Sequence, residues 1–390
     1  MPVMSFGDGA MQVLTVNVGG SAVRLGAHST LAQGATHQEK FNSTDKEASI
    51  QAQLKSFIEK YQLQNVSAVS HRIVHAGAIQ SQRNFIDERL EQMIHDHTHL
   101  APNHNPQTLK WIRESREILG DTVPQIAVFD SGFYVDLPEI AASYAIPQDL
   151  GFRRLGFHGL AHQSMLLNAQ ALAGSAFAGM RIISLQLGSG CSITASIGGT
   201  PVDTSMGFTP LEGLMMNTRS GDIDPGIILH LLGENEMTAG QTDDLLNRQS
   251  GLLGVSERSG NIDELLSNED DKSSLAVEMF CYRVKKYIGA YVAALGGLDL
   301  LLLGGGIGEN LPQVRAKCLS GLETLGVQVD PNRNPMLIGQ SGLISSDKSK
   351  VRVEVSKVDE NSLLAEEAIA HLFQEESAVQ QPDKMEHGHA

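Results

Sequence analysis

One opening occurs twice in this chain, and it limits the folds available more than any other feature. Met11–Val18 (MQVLTVNV) is an apolar, β-branched run that stops at Gly19-Gly20 and is followed by a second short run, Ser21–Ala27. Arg181–Leu187 stops in the same way at Gly188-Ser189-Gly190 and is followed by Cys191–Ile197. Apolar β-branched runs hinged on glycine read as strand, turn, strand. Helical patterns and buried strands alternate after each opening. In the first half they cover Glu47–Tyr61 (partly helical), Val66–Val74, Phe85–His97, Pro106–Leu119 and Gln125–Phe129. In the second they cover Pro225–Leu232, Thr242–Gln249, Ser273–Leu295, Leu298–Leu303, Val351–Val355 and Asn361–Phe373. A chain of 390 residues exceeds what one core serves. The expectation is an α/β protein made of a duplicated unit, with a boundary near Tyr144–Pro147 and Gly151. Two glycine hairpins facing each other would form a phosphate clamp, because turn amides converge on an anion. Two unrelated hairpins are the alternative.

The stretch Asp203–Pro225 (DTSMGFTPLEGLMMNTRSGDIDP) has neither helical nor strand period. It nevertheless gathers Arg219, Asp203, Asp222, Asp224 and Glu212 among glycines and methionines. Such a run presents chemistry from a loop. Its MGFTPLEGLMM half is too apolar to be left in water, so it is expected to form the wall of a cleft; a long solvated connection is the plain alternative. A formal charge of −16 argues against nucleic acid and anionic membrane as partners, since either needs a basic face. An anionic substrate would have to be gripped by a few focused arginines. Cys191, Cys281 and Cys318, odd in number and widely spaced, read as reduced thiols of a cytoplasmic protein. The first ten residues lack the pattern of a signal peptide. Ile288–Gly308, apolar but carrying Asp299 and seven glycines, reads as a buried helix leading into a buried strand rather than a membrane span. Gln374–Ala390 reads as a disordered polar tail.

Polar residues collect at strand ends and in loops: Asn17, Arg72, His104, Asp130, His158, Arg219 and Glu360. Singly, each has a structural explanation as a strand-end charge, a cap or a satisfied histidine. Together they suit phosphoryl transfer, which needs positioning, charge neutralisation and Mg²⁺ on one or two carboxylates. Arginines grip carboxylate and phosphoryl oxygens through paired hydrogen bonds. A carboxylate acceptor is already ionised at pH 7 and asks for no strong base.

Several strings carry a resemblance: HRIVHAG (71–77), APNHNP (101–106), FDSGF (129–133), RRLGFHG (153–159), the whole 203–225 stretch and GGGIGEN (304–310). From about Val13 to Ile369 the chain resembles the acetate and propionate kinase family of the sugar kinase–actin superfamily. The resemblance implies two duplicated RNase H-like domains, 11–148 with 361–375 and 149–360, hinged around a nucleotide cleft, with 376–390 as a disordered tail. It implies a homodimer that transfers phosphate reversibly from ATP to acetate with Mg²⁺, giving acetyl phosphate and ADP. On that basis Arg72 and Arg219 bind the acyl carboxylate and the moving phosphoryl group. His158 and Arg219 stabilise the transition state with His104 nearby, and Asp130 is the catalytic aspartate. Val74, Asn103, Phe157 and Pro210 line the acyl pocket. Asn17 and Glu360 hold Mg²⁺. The nucleotide contacts fall on Arg24, Gln186, Leu187, Gly188, Ser189, Gly190, Asn261, Ile262, Asp263, Gly306, Ile307, Gly308, Glu309 and Asn310.

This chain departs from the family pattern mainly at the nucleotide positions. The usual serine-rich turn is here Asn17-Val-Gly-Gly-Ser-Ala-Val-Arg24, the second turn is Gln186-Leu-Gly-Ser-Gly190, and Asn261-Ile262-Asp263 lacks the usual arginine. Asn103 stands where a pocket leucine is usual, and a buried amide there asks for a polar partner. Two alternatives therefore stay open: an acid kinase with another short-chain acid or another phosphoryl donor, and a non-catalytic paralogue. His95-Asp96-His97-Thr98-His99 invites a metal site, but such a run reads first as a solvated helix end.

Overall fold

The computed structural model describes residues 11–20, 22–30, 35–42, 49–77, 81–233, 237–268 and 270–379. The chain divides into two compact units, one from residues up to Gly132 together with the segment from Asp359 onward, the other Phe133–Val358.

The first unit is built on a six-stranded sheet: β1 (Gln12–Val18), β2 (Ala22–Ser29), β3 (Ala35–Asn42), β4 (Ala68–Ile73), β5 (Arg83–Phe85) and β6 (Gln125–Phe129), in the order β3-β2-β1-β4-β6-β5. β1, β2 and β3 form an antiparallel meander, β4 and β6 run parallel to β1, and β5 closes the edge antiparallel to β6. The second unit repeats this design. β7 (Arg181–Leu187), β8 (Cys191–Ile197), β9 (Thr200–Thr204), β10 (Leu300–Gly304), β11 (Gly342–Leu343) and β12 (Arg352–Val355) take the order β9-β8-β7-β10-β12-β11. Its strand directions also match, with β11 as the antiparallel edge. The duplication inferred from two glycine openings is thus a duplication of topology.

The apolar runs read as buried strands are covered on both faces, which is why they lack alternation. Every residue of β4, β6 and β10 is buried. In the first unit Leu14, Val16 and Leu25 pack with Leu54 and Phe57 of the helix Ile50–Lys60 and with Trp111 of the helix Asn105–Leu119. In the second, Ile182, Leu300 and Leu302 pack on Met165, Leu166 and Phe177. Each such side chain contributes roughly 1.5–3 kcal/mol on burial.

Several expectations need correction. β3 (ATHQEKFN) is polar and lies at a sheet edge, so it shows none of the apolar pattern that marked the other strands. Residues 203–204, assigned to the central loop, belong to β9. The helix expected from Phe85 begins at Glu88, because Phe85 ends β5 and the Asp87 carboxylate accepts from Leu90 N at 2.8 Å as its cap. The helices Gly159–Ala173 and Gly305–Asn310 were not anticipated. The last helix is Glu360–Val379, so residues 376–379 continue a helix rather than a disordered tail; residues 380–390 lie outside the described residues. Among the described residues, no helix is long and apolar enough to cross a membrane. Ile288–Gly308 is the end of the helix Asp271–Leu295, then β10, then a glycine-rich helical turn.

Candidate active site

In the first unit the C-terminal ends of β1, β4 and β6 bring Asn17, Arg72 and Asp130 together, and the start of the last helix adds Glu360. Arg72 is 5% exposed, yet its charge is well matched. Its Nη2 donates to Asp130 Oδ2 at 2.8 Å, and its Nη1 lies 3.4 Å from Asn17 Oδ1 and 3.9 Å from Glu360 Oε1. Asn17 Nδ2 donates to Glu360 Oε2 at 2.7 Å. Burial by itself would lower the pKa of Arg72, but the charges of Asp130 and Glu360 outweigh it and raise it above the ordinary arginine value. Arg72 Nε, buried, has no hydrogen-bond partner among the described residues, so the guanidinium keeps a donor for an anionic ligand. Neighbouring His71 points elsewhere. It is enclosed, its Nε2 meets Gln125 Oε1 at 2.6 Å, and burial drops its pKa to about 4. Of the tandem His71-Arg72, only the arginine faces the cluster.

His104, buried, precedes the helix Asn105–Leu119, and a β-carbon built on Gly20 would lie 3.7 Å from its Nε2. Val74 is buried just past β4. Asn103 is half-buried, not enclosed, and has a polar or ring partner of its own. Arg24 is half-exposed, 4.0 Å from Glu360.

The second unit places His158 and Arg219 against its own glycine turn. His158 adopts a left-handed backbone (φ 59°) just before the helix Gly159–Ala173, a conformation rare for a residue with a β-carbon and frequent at functional sites. A β-carbon at Gly190 would lie 3.2 Å from His158 Nε2 and 3.1 Å from Arg219 Nη2, so the bare turn is what lets both groups approach. Arg219 is held from behind by Nη1, which donates to Pro210 O at 2.7 Å. Pro210 and Phe157 are buried, and Phe157 O accepts from Tyr134 Oη at 3.2 Å.

The central loop spends its other charges on its own shape. Glu212 accepts from Arg154 at 2.7 Å and from the Tyr144 hydroxyl at 2.5 Å. Asp222 accepts from Gly213 N at 2.7 Å and from Tyr287 Oη at 2.6 Å. Met206, Leu214, Met215 and Met216 are buried, so the loop is part of the core of its unit and not a solvated connection.

The remaining positions expected to meet the nucleotide fall into three groups. Leu187 and Gly190 are buried, Ser189 is exposed, and Gln186 and Gly188 are half-buried. In the glycine run Gly306 and Asn310 are exposed while Ile307 and Gly308 are buried. Glu309 Oε1 accepts from Gly305 N and Val358 N, both at 3.1 Å, and so ties the run to the chain beyond β12. Asn261 caps a short helix through Asp263 N at 3.1 Å, Ile262 is buried, and Asp263 is exposed.

Sequence reasoning missed the support behind His158. Its Nδ1 lies 2.9 Å from Ser192 Oγ, that oxygen is 2.8 Å from His162 Nε2, and His162 Nδ1 is 2.7 Å from Ser184 Oγ. The signal was present as His158-Gly-Leu-Ala-His162, two histidines four apart at a helix start.

Among the described residues, no three His, Cys, Asp or Glu side chains group as a metal cage, and this includes the 95–99 run. There His97 Nδ1 bonds Met93 O at 2.8 Å and its ring stacks on His75. Around Arg72, by contrast, Asp130, Glu360 and Asn17 offer oxygen donors only. Mg²⁺ prefers oxygen, takes one or two carboxylates, and fills its other positions with water and phosphate. The donor set therefore fits that ion.

The sequence matches the model of the Acetokinase family over residues 20–366. It is 41% identical over 323 residues to the acetate kinase of Chloroherpeton thalassium, covering 80% of this chain and 78% of that protein. It is 41% identical over 313 residues to the acetate kinase of Carboxydothermus hydrogenoformans, covering 79% and 78%. Among solved structures it is similar to the acetate kinase of Porphyromonas gingivalis, with TM-score 0.79 and 33% identity over 93% of this chain and 100% of that one. A propionate kinase from Francisella tularensis gives TM-score 0.80 and 31% identity over 92% and 98%. With its two six-stranded sheets of matching order, the chain belongs to the acetokinase family and is a phosphotransferase whose acceptor is a carboxyl group.

Proposed function

We propose that the protein is a Mg²⁺-dependent acetate kinase. A carboxylate oxygen of acetate attacks the γ-phosphorus of ATP, the bond from that phosphorus to the bridging oxygen breaks, and acetyl phosphate and ADP are formed, reversibly. The observation that carries this reading is the convergence of His158 Nε2 and Arg219 Nη2 on Gly190. Two donors, one of them cationic, face a bare turn, which suits an oxyanion whose charge spreads as the phosphoryl group moves. Arg72 binds the acyl carboxylate and is kept charged by Asp130 and Glu360. Asn17 and Glu360 hold Mg²⁺, which when bound neutralises phosphate charge. His104 assists at the transferring group. Val74, Asn103, Phe157 and Pro210 bound the acyl group, and the residues around Gly190 and Gly306 take the nucleotide.

The reading includes a cytoplasmic homodimer. All three cysteines are free thiols, in keeping with a reducing compartment. The helix Pro225–Gly233 has no buried residue and exposes Ile227, Leu229 (71%) and Leu232, a face suited to a second copy of the chain.

The test is an assay with ATP and Mg²⁺ that traps the acyl phosphate as a hydroxamate, run over acetate, propionate, butyrate and glycolate. Signal with acetate, nearly abolished by Arg219→Ala and by His158→Ala, is the expected result. Activity within about threefold of the parent in either variant would remove that residue from the mechanism. A second reading, another phosphoryl donor, is favoured by Asp263, an exposed carboxylate in the segment assigned to the nucleotide. A scan of GTP and pyrophosphate decides it, and clear preference for ATP sinks it.

A further inference from the structure

The chain His158–Ser192–His162–Ser184 runs from the glycine turn into the interior through links of 2.9, 2.8 and 2.7 Å. Ser184, Ser192 and His162 are each fully buried. Ser184 stands on β7, Ser192 on the neighbouring β8, where it pairs with Gln186, and His162 lies one helical turn beyond His158. Nothing in the reaction proposed above uses Ser184, Ser192 or His162.

Counting protons along the chain gives it a direction. Ser192 Oγ lies between two ring nitrogens and has one hydrogen, so it donates to one histidine and accepts from the other. Among the described residues, the Ser184 hydroxyl has His162 Nδ1 as its hydrogen-bond partner. If His162 Nδ1 carried a proton, the Ser184 proton would be left buried without an acceptor, which native interiors avoid. Ser184 therefore donates to His162 Nδ1. His162, neutral, then carries its hydrogen on Nε2 and donates to Ser192. Ser192 in turn donates to His158 Nδ1. His158 is left with its hydrogen on Nε2, the atom that faces Gly190 beside Arg219.

We propose that Ser184, His162 and Ser192 are positioning residues that fix His158 as the Nε2–H tautomer, so that it meets the phosphoryl group as a neutral hydrogen-bond donor and not as a base. This rests on the reading of His158 as a residue at the transferring group. It predicts that the first histidine needs no proton from solvent to act, because its donor is set by a hydroxyl three links away.

The test is ¹⁵N-histidine NMR on the full chain at neutral pH, with ring signals assigned from His158→Asn and His162→Asn. Expected are His158 and His162 both protonated at Nε2 and bare at Nδ1. In Ser192→Ala the Nδ1 signal of His158 should move toward that of an unbonded ring nitrogen, with kcat down about tenfold and KM for acetate and nucleotide held. Ser192→Thr, which keeps the hydroxyl, should restore both. A hydrogen on Nδ1 of His158 or His162 in the parent, or an unmoved Nδ1 signal in Ser192→Ala, overturns the assignment. The tautomer measurement does not depend on turnover. Nε2–H with full activity in His158→Ala would therefore fault the catalytic role and leave the chain intact.

Discussion

At the scale of single residues, Arg72 is the buried cation on which Asn17, Asp130 and Glu360 converge. Arg72 and Asp130 stood out because charge at the end of a buried strand asks for a reason. Nothing in the string HR told which of His71 and Arg72 faces the cluster; strand alternation and Gln125 decided that. Arg72 is the residue whose loss should reach furthest, since it holds Asp130 and Glu360 within 2.8 and 3.9 Å. Arg72→Met keeps the volume and removes the charge. It should lower kcat/KM by about 10² or more and cost roughly 3–5 kcal/mol of stability, because two carboxylates lose their cation. Steady-state kinetics with urea denaturation checks both, and a variant with parental stability would mean that the pair is not buried as described.

At the scale of elements, strands with an apolar pattern were found almost to the residue, as with Arg181–Leu187 and Cys191–Ile197. Those defined by partnership alone were not. β3 is a strand because β2 offers it an edge, and β5 because β6 does. The 203–225 loop showed its importance through its composition but hid its mechanics. Gly207 illustrates them, since a β-carbon there would lie 1.6 Å from Glu212 Oε2 and 2.1 Å from Tyr144 Oη. Gly207→Ala should therefore break the Tyr144–Glu212–Arg154 cluster, lower stability by about 3 kcal/mol and reduce turnover with it. Thermal unfolding and the hydroxamate assay on the same sample decide this. Lost stability with full turnover would show that the loop does not depend on that cluster to aim Arg219.

At the scale of the whole molecule, the duplication was visible from two glycine openings, and the shared strand order confirms it. Leu229→Glu, on the exposed helix, should yield a monomer by light scattering if that helix joins two copies; an unchanged mass would place the contact elsewhere. Acid should weaken the fold through histidine as well as carboxylate. Burial holds His28 and His71 at about 4 against an ordinary 6.5. Between those values the unfolded chain binds protons that the folded chain refuses, so stability falls as pH drops from 6.5 toward 4. For His71 the loss is on the order of 3 kcal/mol. Urea midpoints at pH 7 and 4.5 should converge more in His71→Gln than in the parent; equal slopes would mean that His71 is not held neutral. The unit that carries Asn17 and Arg72 is also discontinuous, since it takes its last helix from beyond residue 358. Ser70 Oγ waits for Leu364 O, at 2.8 Å, and Asn17 for Glu360. During synthesis from the N-terminus, the later-coded unit can be finished while the earlier one still lacks a wall. The ribosome thus delivers the carboxylate beside Arg72 only after the whole second unit, and a chain stopped short at 358 holds both glycine turns but never the assembled cluster.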